Sequence, residues 1–158
     1  MAVLQLLFST TRKPFSGLIR MATWSRWSHV ALVTEAHVIE AVALGGVRQV
    51  ATAYAIQHTS DYCLVDLPVR NAQAIIDAAR SQIGKPYDWT AVAGLGFHRD
   101  WQEEGSWFCS ELIAWAAAQA GEPWFRQEAL HRVTPQHLWM LSPERGFTEA
   151  QRLKSTRC

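Results

Sequence analysis

The chain reads as an α+β protein, an antiparallel sheet laid down first and then covered by helices. Three observations predict this. Residues 1–70 hold short runs rich in Val, Leu, Ile and Tyr, separated by Gly, Pro and Ser/Thr clusters, which is the pattern of strands. Residues 71–141 change to apolar positions three and four apart, the pattern of helices. Strands therefore precede helices instead of alternating with them, and no internal repeat or linker divides the 158 residues. One domain over 1–158 is expected, with 142–158 as its tail. A chain of this length buries about two-thirds of its unfolded surface.

In order, residues 3–8 (VLQLLF) form a short apolar strand, closed by the polar cluster 9–13 and Pro14. Residues 15–23 suit a short helix with Leu18, Ile19 and Ala22 on one side. Next comes SHVALVTEAHVIEAV, a β-hairpin with strands His29–Thr34 and His37–Val42 about the turn Glu35-Ala36. Cross-strand partners then sum to 71, so His29 and Glu40 share a face as diagonal neighbours, roughly 7–8 Å apart along the backbone. Val30, Leu32, Ile39 and Ala41 take the other, apolar face. A loop of odd length would break this parity. Gly45-Gly46 turns the chain, and residues 47–53 extend the sheet. Residues 62–69 give a further strand, with Pro68 marking an edge. Asn71 caps a helix with Ala72, Ile75, Ile76, Ala79 and Ile83 at helical spacing, ended by Gly84. GKPYD is a turn, 89–97 a short helix, and 98–105 a polar loop. Thr134-Pro135 opens a last short helix at 136–141.

Between these lies SWFCSELIAWAAAQAG, 106–121. From Cys109, residues Leu112, Ile113, Ala116, Ala117 and Ala120 fall on one helical face. Ser106 suits the cap, Gly121 the left-handed stop, and Pro123 forbids continuation. Cys109 thus stands in the first turn, where unpaired backbone N–H groups and the positive end of the helix dipole favour thiolate over thiol. Position alone does not separate a nucleophile from a packing thiol, since free cysteines are commonly buried.

Composition narrows the function classes. The net charge of +1 offers no bulk attraction for nucleic acid. No stretch approaches the ~20 apolar residues of a membrane span, and the amino end makes a poor signal peptide. Three cysteines, Cys63, Cys109 and Cys158, do not make a disulfide framework and fit a reducing compartment. A cytoplasmic protein is expected, or one exported without a signal. His131 and His137 are six apart, and no metal-ligand spacing or phosphate-binding fingerprint occurs, so neither metal nor cofactor is expected. The eight tryptophans suit core packing or an aromatic cleft equally.

A cysteine nucleophile needs a base within reach, and the base needs a group to fix its tautomer. Cys109, His29 and Glu40 supply these three types. The Cys109 backbone N–H can form part of an oxyanion hole, worth ~3 kcal/mol per donor. His37 falls on the opposite hairpin face, and His58, His98, His131 and His137 lie in loops or at helix ends. Glu35 is at the turn. Glu111 points away from the cysteine on a helix and is expected to brace a loop or the helix start.

The segments WSHVALV, VIEAVALGGVR, IGKPYDW, WFCSELIAWA and VTP resemble the permuted papain-like amidases of the YaeF/YiiX type. These are relatives of the NlpC-type cell-wall peptidases and of the lecithin retinol acyltransferase group. The resemblance runs from about residue 3 to 135. It implies a circularly permuted papain-like fold with the histidine strand N-terminal to the cysteine helix. It implies Cys109 as nucleophile, His29 as base and Glu40 as third polar residue, with Tyr87 at the oxyanion or substrate site. The implied reaction is amide hydrolysis through a thioester acyl-enzyme, on a cell-wall peptide or similar small peptide amide. A thiol acyltransferase or thioesterase acting on a lipid or acyl donor is the alternative, and a non-catalytic binding module of the same fold the third.

Overall fold

A computed structural model describes residues 1–86 and 108–142, the side chain of Phe15 excepted. Five strands form one sheet in the order β4-β3-β2-β1-β5: β1 Ala2–Thr10, β2 His29–Thr34, β3 His37–Val42, β4 Gly46–Ala51 and β5 Asp61–Val69. Every neighbouring pair is antiparallel. The hairpin register pairs Leu32 with Ile39, Val33 with Val38 and Thr34 with His37, each summing to 71 as the two-residue turn requires. Pro68 lies on β5, an edge strand, where its missing N–H costs no ladder bond.

The two faces of the sheet are unequal. Leu4, Leu6, Phe8, Val30, Leu32, Ile39 and Ala41 belong to the main core, packed under the helices. Leu7, Ala31 and Val38 form a smaller cluster on the other face, covered by Ala55 and Ile56. Those two residues belong to α2, Thr52–Gln57, whose first two residues the sequence pattern assigns to strand. The β4 strand ends at Ala51, and the chain turns into α2 to cover the second face.

Helix α1, Pro14–Thr23, buries Ser16 and Ile19 but leaves Leu18 half exposed, which corrects the expectation that Leu18 shares the buried side. Helix α3, Ala72–Arg80, is capped by Asn71, whose Oδ1 accepts the Ala74 N–H at 3.1 Å. The helix stops at Arg80, before Ile83, which is exposed in the following turn. The cysteine helix α4 runs Cys109–Gln119. Its end is a Schellman motif: Gly121 at φ 77° donates to Ala118 O and Glu122 to Ala117 O. A 3₁₀ helix, Gln127–Arg132, leads to α5, Pro135–Leu141, capped by Thr134. Leu112, Ile113, Ala116 and Ala117 are all buried, so the expected apolar face of α4 is its core face.

Cys63 is disulfide-bonded and Cys109 is the free thiol among the described residues, which corrects the reading of three unpaired cysteines. Tyr87, Ser106, His98, the short helix at 89–97 and the tail from 143 onward lie outside the described residues. No described helix is long and apolar enough to cross a membrane.

Candidate active site

Cys109 is the first residue of α4 and only 2% exposed. The N-cap is Phe108, not Ser106, in extended backbone at φ −85°, ψ 150°. Phenylalanine has no side-chain oxygen to cap a helix. Glu111 compensates from the third helical position by accepting the Phe108 N–H at 3.5 Å, so it braces the helix start. Ser110, fully buried, donates to Val133 O at 2.5 Å and ties this first turn to the segment before α5. The cysteine is thereby held at a fixed point over the sheet.

His29 opens β2. The residue before it, Ser28, gives its backbone N–H to Ser9 O and its hydroxyl to a buried cluster with Ser16 at 2.6 Å and Thr10 at 3.4 Å. That cluster anchors the strand entry. The imidazole Nε2 lies 2.8 Å from Glu40 Oε2. Nδ1 is then the ring nitrogen left for Cys109, whose thiol also interacts with the imidazole. His29 and Cys109 each stand at the first position of their element, and they meet there.

Glu40 is nearly buried, its side chain 6% exposed. Both oxygens are used: Oε2 by His29, and Oε1 by Arg48, which donates from Nε at 3.0 Å and Nη2 at 2.8 Å. Arg48 pairs directly with Glu40 across the β3–β4 ladder. It was not singled out from the sequence, because a turn centred on Gly45-Gly46 makes β3–β4 partners sum to 91 and sets Glu40 opposite Ala51. The observed loop is residues 43–45, partners sum to 88, and the arginine falls opposite the glutamate.

Burial alone would push the His29 pKa down. Hydrogen bonding and charge from Cys109 and Glu40 outweigh it and raise the value to about 10. Burial would likewise push Glu40 up, but His29 and then Arg48 hold it down at about 2. The pair is therefore imidazolium and carboxylate at neutral pH, with the ring fixed by Glu40 and Glu40 fixed by Arg48.

None of the other histidines among the described residues is bonded to this group. His37 is exposed at the hairpin turn and paired with Thr34. His58 bonds through Nδ1 to Tyr54 O, and His137 bonds through Nδ1 to the Thr134 cap. His131 lies in the 3₁₀ helix. Glu35 is exposed in the turn.

The glycine-lysine loop is tied in by backbone. Gly84 N–H donates to Val47 O at 2.9 Å, and Val47 N–H to Lys85 O at 2.8 Å. Gly46, at φ 60°, is required there, because a Cβ on it would stand 2.2 Å from Lys85 O. The loop leading to position 87 therefore leaves from beside Arg48. A cavity of about 340 Å³ opens beside the pair, walled by His29, Glu40, Arg48, Tyr54, Lys13 and His58. It reaches His29 and Glu40, while Cys109 stays covered.

The family model for permuted papain-like amidase enzymes of the YaeF/YiiX type, the C92 peptidases, matches residues 5–156. The crystal structure of the metalloprotein yiiX from Escherichia coli O157:H7 superposes with a TM-score of 0.59 at 25% identity, over 75% of this chain and 65% of that one. A probable endopeptidase of Corynebacterium glutamicum strain ATCC 13032 is 36% identical over 78 residues, 45% of this chain and 29% of that protein. One from strain R is 35% identical over 80 residues, 45% of this chain and 30% of that protein. The chain thus spans less than a third of the curated relatives it matches. Among the described residues no group of three His, Cys, Asp or Glu is placed to hold a metal ion. The Arg48 guanidinium on Glu40 makes that carboxylate a poor cation ligand.

Proposed function

Because the chain belongs to the permuted papain-like amidase family of the YaeF/YiiX type, we propose that it is a cysteine hydrolase whose nucleophile is Cys109, base His29 and orienting carboxylate Glu40. The observation that carries this reading is one imidazole interacting with the only free thiol among the described residues while its Nε2 bonds a buried carboxylate. The proposed substrate is an amide in a cell-wall peptide or similar small peptide.

The reaction runs in two halves. In the resting pair the proton already sits on His29, and the Cys109 thiolate attacks the amide carbonyl carbon. The oxyanion that forms is met by the Cys109 backbone N–H, which has no intrahelical acceptor at this position. Tyr87 is proposed as its neighbour at the oxyanion or substrate site. The imidazolium then protonates the departing nitrogen, the C–N bond breaks, and a thioester remains. Water, deprotonated by the now neutral His29, attacks the thioester, and the C–S bond breaks to release the carboxylic acid and restore the thiolate beside the imidazolium. Glu40 stays ionised and holds the ring throughout, with Arg48 holding Glu40. Substrate entry has to uncover Sγ, since Cys109 is 2% exposed.

The test is to incubate the protein with peptidoglycan fragments and, separately, with acyl thioesters, and to seek a covalent adduct on Cys109 by intact mass. An adduct from the peptide that decays in water supports hydrolysis. An adduct from acyl thioesters alone replaces it with acyl transfer. Cys109→Ala is expected to abolish turnover and leave the circular dichroism spectrum unchanged. Iodoacetamide is expected to label Cys109 in the native protein, and faster labelling elsewhere overturns the assignment.

A further inference from the structure

Helix α1 is amphipathic in an unusual sense. Its buried side carries Ser16 and Ile19. Its outward side carries Leu18 and Met21, 50% and 72% exposed, and continues into Trp24, which is 93% exposed. A surface helix ordinarily turns charged residues to water on that side. Trp24 is further set apart by its backbone, with φ 51° in the left-handed region that a non-glycine residue adopts at a cost. The largest side chain of the segment is thus held outward on a strained cap, where it contributes nothing to the core.

The charge carried by this part of the chain is of one sign. Residues 1–34 contain Arg12, Lys13, Arg20 and Arg26 and no aspartate or glutamate. Arg12 and Lys13 are exposed at the start of α1. Arg26, just past its end, pairs with Asp61, so the surplus charge lies toward the N-terminal end. We propose that α1 is a membrane-docking surface, laying Leu18, Met21 and Trp24 into the interface of an anionic bilayer while Arg12 and Lys13 meet the headgroups.

Three considerations favour a lipid surface over a second copy. A few side chains on a ten-residue helix cover far less than the ~800 Å² per partner of a stable protein interface. An isologous dimer through this helix would also bring like charges together. Tryptophan beside Leu and Met, flanked by cations, is the composition of helices that lie in the headgroup layer. Lys13 also walls the cavity beside His29 and Glu40, so one of the proposed headgroup contacts belongs to that cavity's wall. The inference does not depend on which bond Cys109 attacks.

The experiment is co-sedimentation of the whole chain with sucrose-loaded vesicles, of phosphatidylcholine alone or with added phosphatidylglycerol. Binding is expected to be roughly tenfold or more stronger to the anionic vesicles and to fall as salt is raised. The variant Leu18→Ser/Met21→Ser/Trp24→Ser is expected to bind at least about tenfold more weakly. These side chains are exposed, so its thermal unfolding should match the parent. Arg12→Gln/Lys13→Gln should remove the preference for anionic lipid. Failure to bind either vesicle, or equal binding by the triple variant, overturns the proposal. So does a concentration-dependent dimer, seen by light scattering, that the triple variant abolishes.

Discussion

At the scale of single residues, the chain Cys109–His29–Glu40–Arg48 is a relay of charge and orientation, and each link has a separable consequence. The His29 pKa is raised from 6.5 to about 10, so its contribution to stability is complete below pH 6.5 and is lost as pH rises through about 10. The Glu40 pKa is lowered from 4.5 to about 2, so its contribution is complete above pH 4.5 and is lost as pH falls through about 2. The ion pair therefore acts at full strength between pH 4.5 and 6.5. Glu40→Gln removes both a hydrogen bond and a charge from His29. Its pKa should fall, seen by NMR titration of the ring protons, and the alkaline limb of activity should move to lower pH. Glu35→Gln, at the exposed turn, should change neither, and equal losses from the two variants would refute the shared-face argument. Arg48 bonds Glu40, so its effect on the reaction is expected to pass through Glu40. Arg48→Gln should raise the Glu40 pKa, shift the acid limb of the pH profile upward and slow turnover about tenfold. Arg48→Lys should restore part of the rate, since one ammonium replaces the charge but not the fork.

At the scale of elements, the site depends on ends rather than middles. His29 begins a strand, Cys109 begins a helix, and the Gly84–Lys85 backbone is bonded to Val47 one residue before Arg48. Glycines at such ends differ in what they protect. Gly46 has φ 60° and backbone 2.2 Å from a would-be Cβ, whereas Gly121 has φ 77° and open space. Gly121→Ala should cost about 1 kcal/mol, the left-handed penalty alone. Gly46→Ala should cost about 2 kcal/mol or more, since Lys85 O cannot yield without breaking its bond to Val47 N–H. Urea unfolding of the two variants measures the difference, and only Gly46→Ala should also lower activity. The hairpin was legible in the sequence because period two and a two-residue turn leave one register. Helix α2 was not, because TAYAIQ is too short for helical periodicity to show against a strand reading.

For the whole molecule, the sheet face under α3 and α4 is closed at one end by aromatic rings. Phe8 and Trp139 meet edge to face at 5.2 Å, and Trp27 lies 5.5 Å from Trp139 and 6.4 Å from Phe8. These join β1, the entry to β2 and α5, and Trp27 is two residues from His29. Trp27→Ala should cost about 3–5 kcal/mol through the cavity it leaves. Trp27→Phe should cost markedly less, because the Trp27 Nε1 is buried without a partner among the described residues. Chemical denaturation of both variants tests this. Some of the eight tryptophans are thus core, as Trp27 shows, while Trp24 faces outward, a division composition alone did not make.

The sequence by itself determined the hairpin register, the face shared by His29 and Glu40, the apolar face and stop of the cysteine helix, and the strand-before-helix order. Each follows from short-range periodicity or from a backbone conformation that few residues tolerate. Only the tertiary structure decided that Phe108 and Glu111 start the cysteine helix, that Arg48 completes the carboxylate's bonding, and that His29 stands between Glu40 and Cys109. Apart from the three-residue step from Phe108 to Glu111, those contacts join residues 8, 11 and 80 positions apart in the chain. Of the three, the 80-residue separation from His29 to Cys109 is set by how α4 packs on the sheet, which local pattern does not encode.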